Sequence, residues 1–365
     1  MDNNLKIAIT QGDTNGVGLE LILKSFSNEE MFELCTPVVY ANEKVLLYHR
    51  KALGLGHVQY SIVKSPEQAV EGRLNLVPVY ADGLEVNVTF GKCDPLAGQQ
   101  ALAAMEMALK DAAAGKVDAV VACPIHLPSM PEDLFPFTGL CDYLSSRLDA
   151  RGLTMLSNPY MRVALATNHV PLSEVASALT SDLLEERIRQ TYQAMERDFL
   201  CSAPRVAVLG LNPHAGAAGI LGSEETDILT PVIGKLADES NIRVFGPYAA
   251  DGFFGTAMYR HFDSVLALYH DQGTAPFKSV SMNEGIEYVA GLKVVCTAPS
   301  HGPALDRAGK GDADEHSFLH AIYAAMDVCR HRRIYDEAHA NPLPPYVVQH
   351  ERTGVERRRF PFEAQ

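Results

Sequence analysis

RVAVLGLNPH, residues 205–214, decides the fold: a short apolar run rich in valine, closed by Asn212, Pro213 and His214. Such a run reads as a buried strand of a parallel sheet, whose two faces are both covered. Two other stretches have the same form, RVALATNH over residues 162–169 and SVLALYH over residues 264–270. Ligands of open α/β sheets bind just beyond the carboxyl ends of the strands. His169, His214 and His270 stand at three such ends, so three imidazoles are expected to converge on one point. Imidazole is a common ligand for divalent metals, which points to a metal-dependent α/β enzyme. Asp271 is the candidate acceptor for the second ring N–H that a metal-bound histidine usually needs to place.

Outward from these runs, KIAIT (6–10) reads as a first strand, and QGDTNGVGLELILKSF (11–26) as a glycine turn leading into a helix. Gly12, Gly16 and Gly18 do not form G-x-G-x-x-G, so there is no Rossmann fingerprint. TPVVYA (36–41) is a strand and EKVLLYHRKALGL (43–55) a helix; VQYSIV (58–63), RLNLVPVY (73–80) and LEVNVTF (84–90) are short strands. QQALAAMEMALKDAAAG (99–115) is an amphipathic helix ending at glycine. VDAVVACPIH (117–126), IRVFGP (242–247) and LKVVCTA (292–298) add strands. PLSEVASAL (171–179), SDLLEERIRQTYQAMERDF (181–199) and DADEHSFLHAIYAAMDVCRHRR (312–333) add helices. The alternation predicts an α/β fold with mainly parallel sheets. At 365 residues, two lobes are expected. Residues 1–115 and 271–333 would form one, with a cofactor-type loop, and residues 116–270 the other, with substrate and metal residues and dimer contacts. Residues 334–365, proline-rich and then basic, are expected to be a peripheral or disordered C-terminal extension.

A formal net charge of −14 argues against nucleic acid and anionic membranes as partners. No apolar run is long enough for a transmembrane helix, and MDNNLKIAIT lacks the apolar stretch of a signal peptide. The seven cysteines are scattered and form no C-x-x-C, which suits reduced thiols and a cytoplasmic location.

Three further segments carry candidate chemistry. In NPHAGAAGILGSEE (212–225), three glycines allow a flexible loop before a helix whose acidic first turn disfavours phosphate. In HDQGTAPFK (270–278), Lys278 is a point charge for an anion or a proton donor. In SHGPALDRAGKGDADEHSF (300–318), small residues let backbone approach a flat ligand, with Asp306, Arg307 and Lys310 placed to contact a nucleotide.

Taken together, GDTNGVGLE, ATNHVPLSEV, LGLNPHAGAAGILGSEE, GPYAADGFF, YHDQGTAPFK and GLKVVCTAPSHGPALDRAGKGDADEHSF resemble the 4-hydroxythreonine-4-phosphate dehydrogenase family of pyridoxal phosphate biosynthesis. The segments occur in that family's order across roughly residues 5–330. The first segment and the HG…AGKG loop also resemble the isocitrate and isopropylmalate dehydrogenase fold, whose dinucleotide site is non-Rossmann. The resemblance implies a homodimer with its active site in a cleft between two lobes, near the subunit interface. It implies NAD as cofactor, near Gly302, Asp306, Gly309 and Lys310, and a divalent metal (zinc, cobalt or magnesium) held by His169, His214 and His270. Lys278 and Asp251 fall on catalytic and substrate-contacting positions. The implied reaction is oxidation of the C3 hydroxyl of 4-phosphohydroxy-L-threonine, then decarboxylation of the β-keto acid to 3-amino-2-oxopropyl phosphate. A metal on the hydroxyl would lower its pKa and stabilise the enolate that decarboxylation leaves.

The chain also departs from the family's pattern. The family has P-[VI]-x-K and then F-x-GHTE, where this chain has CPIHLPSM and FTGLCDYL. The lysine becomes Leu127, and the histidine, threonine and glutamate become Leu140, Cys141 and Asp142. A substrate-contacting asparagine falls on Glu287 and an arginine on Cys296; in D-H-G-T the outer residues become Ser300 and Pro303. Leu140, Cys141, Glu287 and Cys296 therefore stand at substrate-binding positions with changed chemistry. Each charge-assisted hydrogen bond lost is worth about 1.5–3 kcal/mol. Three readings follow: the family reaction with replacement contacts, a same-fold metal-dependent dehydrogenase acting on a different hydroxy acid, with or without a phosphate, and a weakly active or non-catalytic homologue.

Overall fold

The computed structural model describes residues 4–81, 87–238, 242–280 and 283–342. Its strands are β1 (Lys6–Thr10), β2 (Thr36–Ala41), β3 (Tyr60–Ile62), β4 (Leu74–Pro78), β5 (Ala119–Ala122) and β6 (Leu153–Ser157), followed by β7 (Arg162–Leu165), β8 (Arg205–Leu209), β9 (Arg243–Tyr248), β10 (Ser264–Ala267), β11 (Ile286–Ala290) and β12 (Val295–Pro299). All join one sheet in the order β3-β4-β2-β1-β5-β12-β11-β6-β7-β10-β8-β9. Only the β12–β11, β11–β6 and β6–β7 pairings are antiparallel. Three reversals at the centre leave β7, β10, β8 and β9 running opposite to the strands around β1. One large, mainly parallel sheet thus holds two parallel halves of opposite sense.

The burial pattern follows the pleat. Ile7 and Ile9 of β1 face one apolar cluster while Ala8 faces another, on the opposite side of the sheet. A third cluster covers the β7–β10–β8 half, with Val163, Leu165, Ala207 and Phe277. Coverage on both faces explains the near-continuous apolar strands.

Several elements differ from the sequence reading. Residues 87–90 are not a strand, and 84–86 lie outside the described residues. Strands β6 and β11 were not expected; they are short and each turns back directly into an antiparallel partner, β7 and β12. His270–Val280 is a helix despite Gly273 and Pro276, which read locally as breakers. The last helix, His316–His339, runs past the expected end at Arg333, so the supposed extension begins inside it; residues 343–365 lie outside the described residues. The boundary drawn at 115/116 falls between the helix Pro95–Ala113 and β5, and β5 pairs with both β1 and β12. Among the described residues no helix is long and apolar enough to cross a membrane.

A buried charge network pins the last helix to the sheet. Arg332 Nε donates to Asp198 Oδ1 at 2.7 Å, and the Tyr288 hydroxyl donates to Asp198 Oδ2 at 2.6 Å. All three side chains are buried. Removing one partner of such a pair leaves a buried, uncompensated charge, which costs about 3–5 kcal/mol. Asp198→Ala is therefore expected to lower the unfolding free energy by about that amount in urea titrations, and a loss below about 1 kcal/mol would contradict this role.

Candidate active site

The carboxyl ends of four strands frame one cavity of about 240 Å³. Asn168 and His169 follow β7, His270 follows β10, Pro124 and Ile125 follow β5, and Ser300, His301 and Gly302 follow β12. The antiparallel centre supplies Thr154 from β6 and Glu287 from β11. The rings of His169 and His270 lie 5.4 Å apart. His270 opens the helix His270–Val280, so Thr274 and Lys278, four and eight residues on, share its face and line the same cavity. Gly273 makes this possible. A Cβ there would lie 2.8 Å from Val163 Cγ1 and 2.9 Å from Ala267 Cβ, so the helix rests directly on β7 and β10.

The His270 ring Nδ1–H donates to Asp271 Oδ1 at 2.7 Å, as expected for Asp271. This leaves Nε2 as the free ring nitrogen. Burial, and then the charge of His270, hold His169 below its ordinary pKa, which favours the neutral imidazole that binds metals. Two imidazoles so presented fit a divalent metal. Glu287 is half-buried; desolvation pushes its carboxyl up, and Lys278 and His270 partly offset this. Leu127, Leu140, Leu156 and Leu165 make much of the remaining wall apolar. Thr274 Oγ1 and His301 Nε2 are buried there without a protein partner.

His214 does not join this pair. With Asp251, Tyr269 and Phe254 it lines a second cavity, of about 530 Å³. Among the described residues no group of three or more His, Cys, Asp or Glu is placed to hold a metal. The expected convergence of three imidazoles within one chain is therefore corrected to a pair and a separate third. His214 also begins a left-handed turn, with positive φ at His214, Ala215, Gly216, Ala217, Ala218 and Gly219. Left-handed backbone costs about 1–2 kcal/mol per non-glycine residue. Buried Glu225 offsets it by accepting the Asn212 backbone N–H (2.7 Å) and the Asn212 Nδ2–H (2.9 Å). A held turn thus replaces the flexible loop expected for 212–225.

The other predicted residues divide in the same way. Lys278, Leu140, Glu287 and Gly302 line the first cavity. Cys141 and Cys296 are buried in the apolar cluster that backs the cavity and do not line its surface. Asp306 and Lys310 are exposed on the loop after β12. Gly309 has φ +79° and packs against Phe90, so its first role is close packing. That loop docks on the glycine turn after β1, where Val17 N–H donates to Pro303 O at 3.0 Å. Sequence reasoning missed Thr154, Thr274 and His301. The four-residue spacing of His270, Thr274 and Lys278 was the signal for the second of these.

A cleft beyond strand ends, with paired imidazoles and a lysine on the helix face of one of them, is the site of an α/β enzyme. A family model described as "Pyridoxal phosphate biosynthetic protein PdxA" matches residues 33–325. A 4-hydroxythreonine-4-phosphate dehydrogenase of Bacteroides thetaiotaomicron is 47% identical over 344 residues, covering 94% of this chain and 93% of that protein. The solved structure of a putative 4-hydroxythreonine-4-phosphate dehydrogenase from Salmonella typhimurium superposes with a TM-score of 0.76 at 27% identity, over 89% of this chain and 100% of that one. That of a terephthalate 1,2-cis-dihydrodiol dehydrogenase from Burkholderia xenovorans LB400 superposes with a TM-score of 0.58 at 26% identity, over 89% of this chain and 98% of that one. The chain belongs to the PdxA family.

The glycine turn is itself propped by a titratable group. His49 is buried, and its Nε2–H donates to Thr14 O at 2.8 Å. Burial pushes its pKa down to about 4, below the ordinary value of about 6.5. The unfolded chain therefore binds this proton first. The stability His49 contributes is present above about pH 6.5 and lost as pH falls through about 4. Urea unfolding across that window is expected to show His49→Gln losing less stability on acidification than wild type; parallel pH profiles would contradict this.

Proposed function

We propose that this chain is a divalent-metal- and NAD-dependent oxidoreductase that oxidises the C3 hydroxyl of 4-phosphohydroxy-L-threonine, with loss of CO2 to give 3-amino-2-oxopropyl phosphate. The observation that carries this reading is the His169–His270 pair facing Lys278 in one cavity, in a chain of the PdxA family. His169, His270 and His214 would hold the metal, whose chemistry is Lewis-acid polarisation of the substrate oxygen; bound NAD supplies a hydride acceptor. Zinc or cobalt suits three imidazoles better than magnesium. Lys278 presents a cation to the substrate's anionic end, and Asp271 fixes the ring of His270. Leu127 and Leu140 give the reacting centre an apolar wall. The loop after β12 offers Gly302 at the cavity and exposed Asp306 and Lys310 to the dinucleotide.

The working unit is a homodimer in which His214 of a second copy completes the imidazole set. Two observations support it. His214 faces a cavity of its own. Its loop and that of His169 also present Ile220 and Leu172, which are 82% and 75% exposed and would be covered by a partner. Mixing inactive His169→Ala and His214→Ala chains is expected to restore about a quarter of wild-type activity, because half of randomly paired dimers would hold one intact site. Activity that stays at zero on mixing would contradict the shared site.

A second reading is favoured by Glu287. A half-buried carboxylate beside the one lysine that lines the cavity among the described residues, with leucines at 127 and 140, opposes a phosphate dianion. The structural likeness to the terephthalate dihydrodiol dehydrogenase supports a substrate that carries a hydroxyl and a carboxylate without phosphate. An NADH-absorbance assay of the metal-loaded protein separates the two. Turnover of 4-phosphohydroxy-L-threonine well above that of 4-hydroxy-L-threonine supports the first reading, and the reverse order supports the second.

A further inference from the structure

The turn that carries His214 points to a positioning role for Glu225, and this inference rests on His214 being a metal ligand. The backbone from His214 to Gly219 is left-handed throughout, and alanine occupies three of its positions. Backbone of this kind is costly at non-glycine residues and persists where its surroundings over-determine it. Pro213–Gly219 is a tight 3-10-like turn, and at its margins Ala215 N–H donates to Asn212 O at 3.1 Å, Leu221 N–H to Gly216 O at 3.0 Å and Ile220 N–H to Ala217 O at 3.4 Å.

The main external clamp is the Glu225 side chain. Glu225 is 3% exposed and stands where the turn gives way to the helical segment that continues as Thr230–Asp238. One carboxylate oxygen takes the backbone N–H of Asn212 and the other takes its amide, fixing the residue two before His214. The same carboxylate lies under Gly216, where a Cβ would come within 2.6 Å of Oε2. Glu225 therefore touches the entry of the turn and its middle at once. Glu224 adds one bond, to Asn212 Nδ2 at 2.7 Å, but has no contact with the Asn212 backbone N–H. We propose that Glu225 is the positioning residue that sets the direction of the His214 imidazole, acting only through the turn.

The test uses the full-length protein loaded with cobalt(II), with three readouts: the visible ligand-field spectrum, cobalt affinity by chelator competition, and hydrogen–deuterium exchange over residues 212–222. Glu225→Gln keeps the size of the side chain but turns one acceptor into a donor facing the Asn212 amide. It is expected to change the cobalt spectrum in the direction of His214→Ala and to weaken cobalt binding by about 10–100-fold. Exchange in 212–222 should quicken while β7, β8 and β10 keep wild-type protection. Asn212→Ala, which retains its backbone bond to Glu225, should give a smaller change of the same sign and guards against misfolding of the first variant. A wild-type spectrum, affinity and exchange rate in Glu225→Gln, beside an altered His214→Ala, would overturn the positioning role. A wild-type spectrum in His214→Ala as well would instead sink the ligand reading on which the role depends.

Discussion

The contact on which the site depends is the one between Gly273 and the strands beneath it. Because position 273 has no side chain, the helix His270–Val280 lies against Val163 of β7 and Ala267 of β10. That seat fixes the helix axis, and with it the direction of His270, Thr274 and Lys278. It also sets His270 beside His169, since the strands preceding both histidines are the two that the helix rests upon. A helix standing off by the width of a methyl group would part the two imidazoles.

The antiparallel centre of the sheet supplies the rest. Reversing direction between β12 and β7 turns two parallel halves toward one another, so strand ends from both reach a single cavity. It also brings Glu287 of β11 into that cavity as a half-buried carboxylate near Lys278. The site is therefore nearly balanced in charge and largely apolar in its walls. The identity of the group that fills it depends on whether one lysine outweighs one carboxylate in a low-dielectric space.

Much of this was legible in the sequence. The apolar runs ending at His169, His214 and His270 gave the strands and the side of the sheet where chemistry lies, because burial on two faces leaves a plain pattern. Asp271 was legible from adjacency alone. The helix at 270–280 was not, since Gly273 and Pro276 argue against a helix locally and only the tertiary seat explains them. The separation of His214 was also hidden: a run of positive φ through three alanines contradicts residue preference and is held by Glu225, eleven residues away. Cys141 and Cys296 occupy positions matched by motif, yet they face the apolar cluster, and no motif records which face a side chain takes.

The central claim is that His169 and His270, joined by His214, present imidazole nitrogens to one divalent metal. Zinc-edge X-ray absorption of the zinc-loaded protein tests it most directly. The account predicts a shell of three imidazole nitrogens at about 2.0–2.1 Å, falling to two in His214→Ala. A zinc shell of oxygens alone, unchanged by replacement of any of the three histidines, would contradict it.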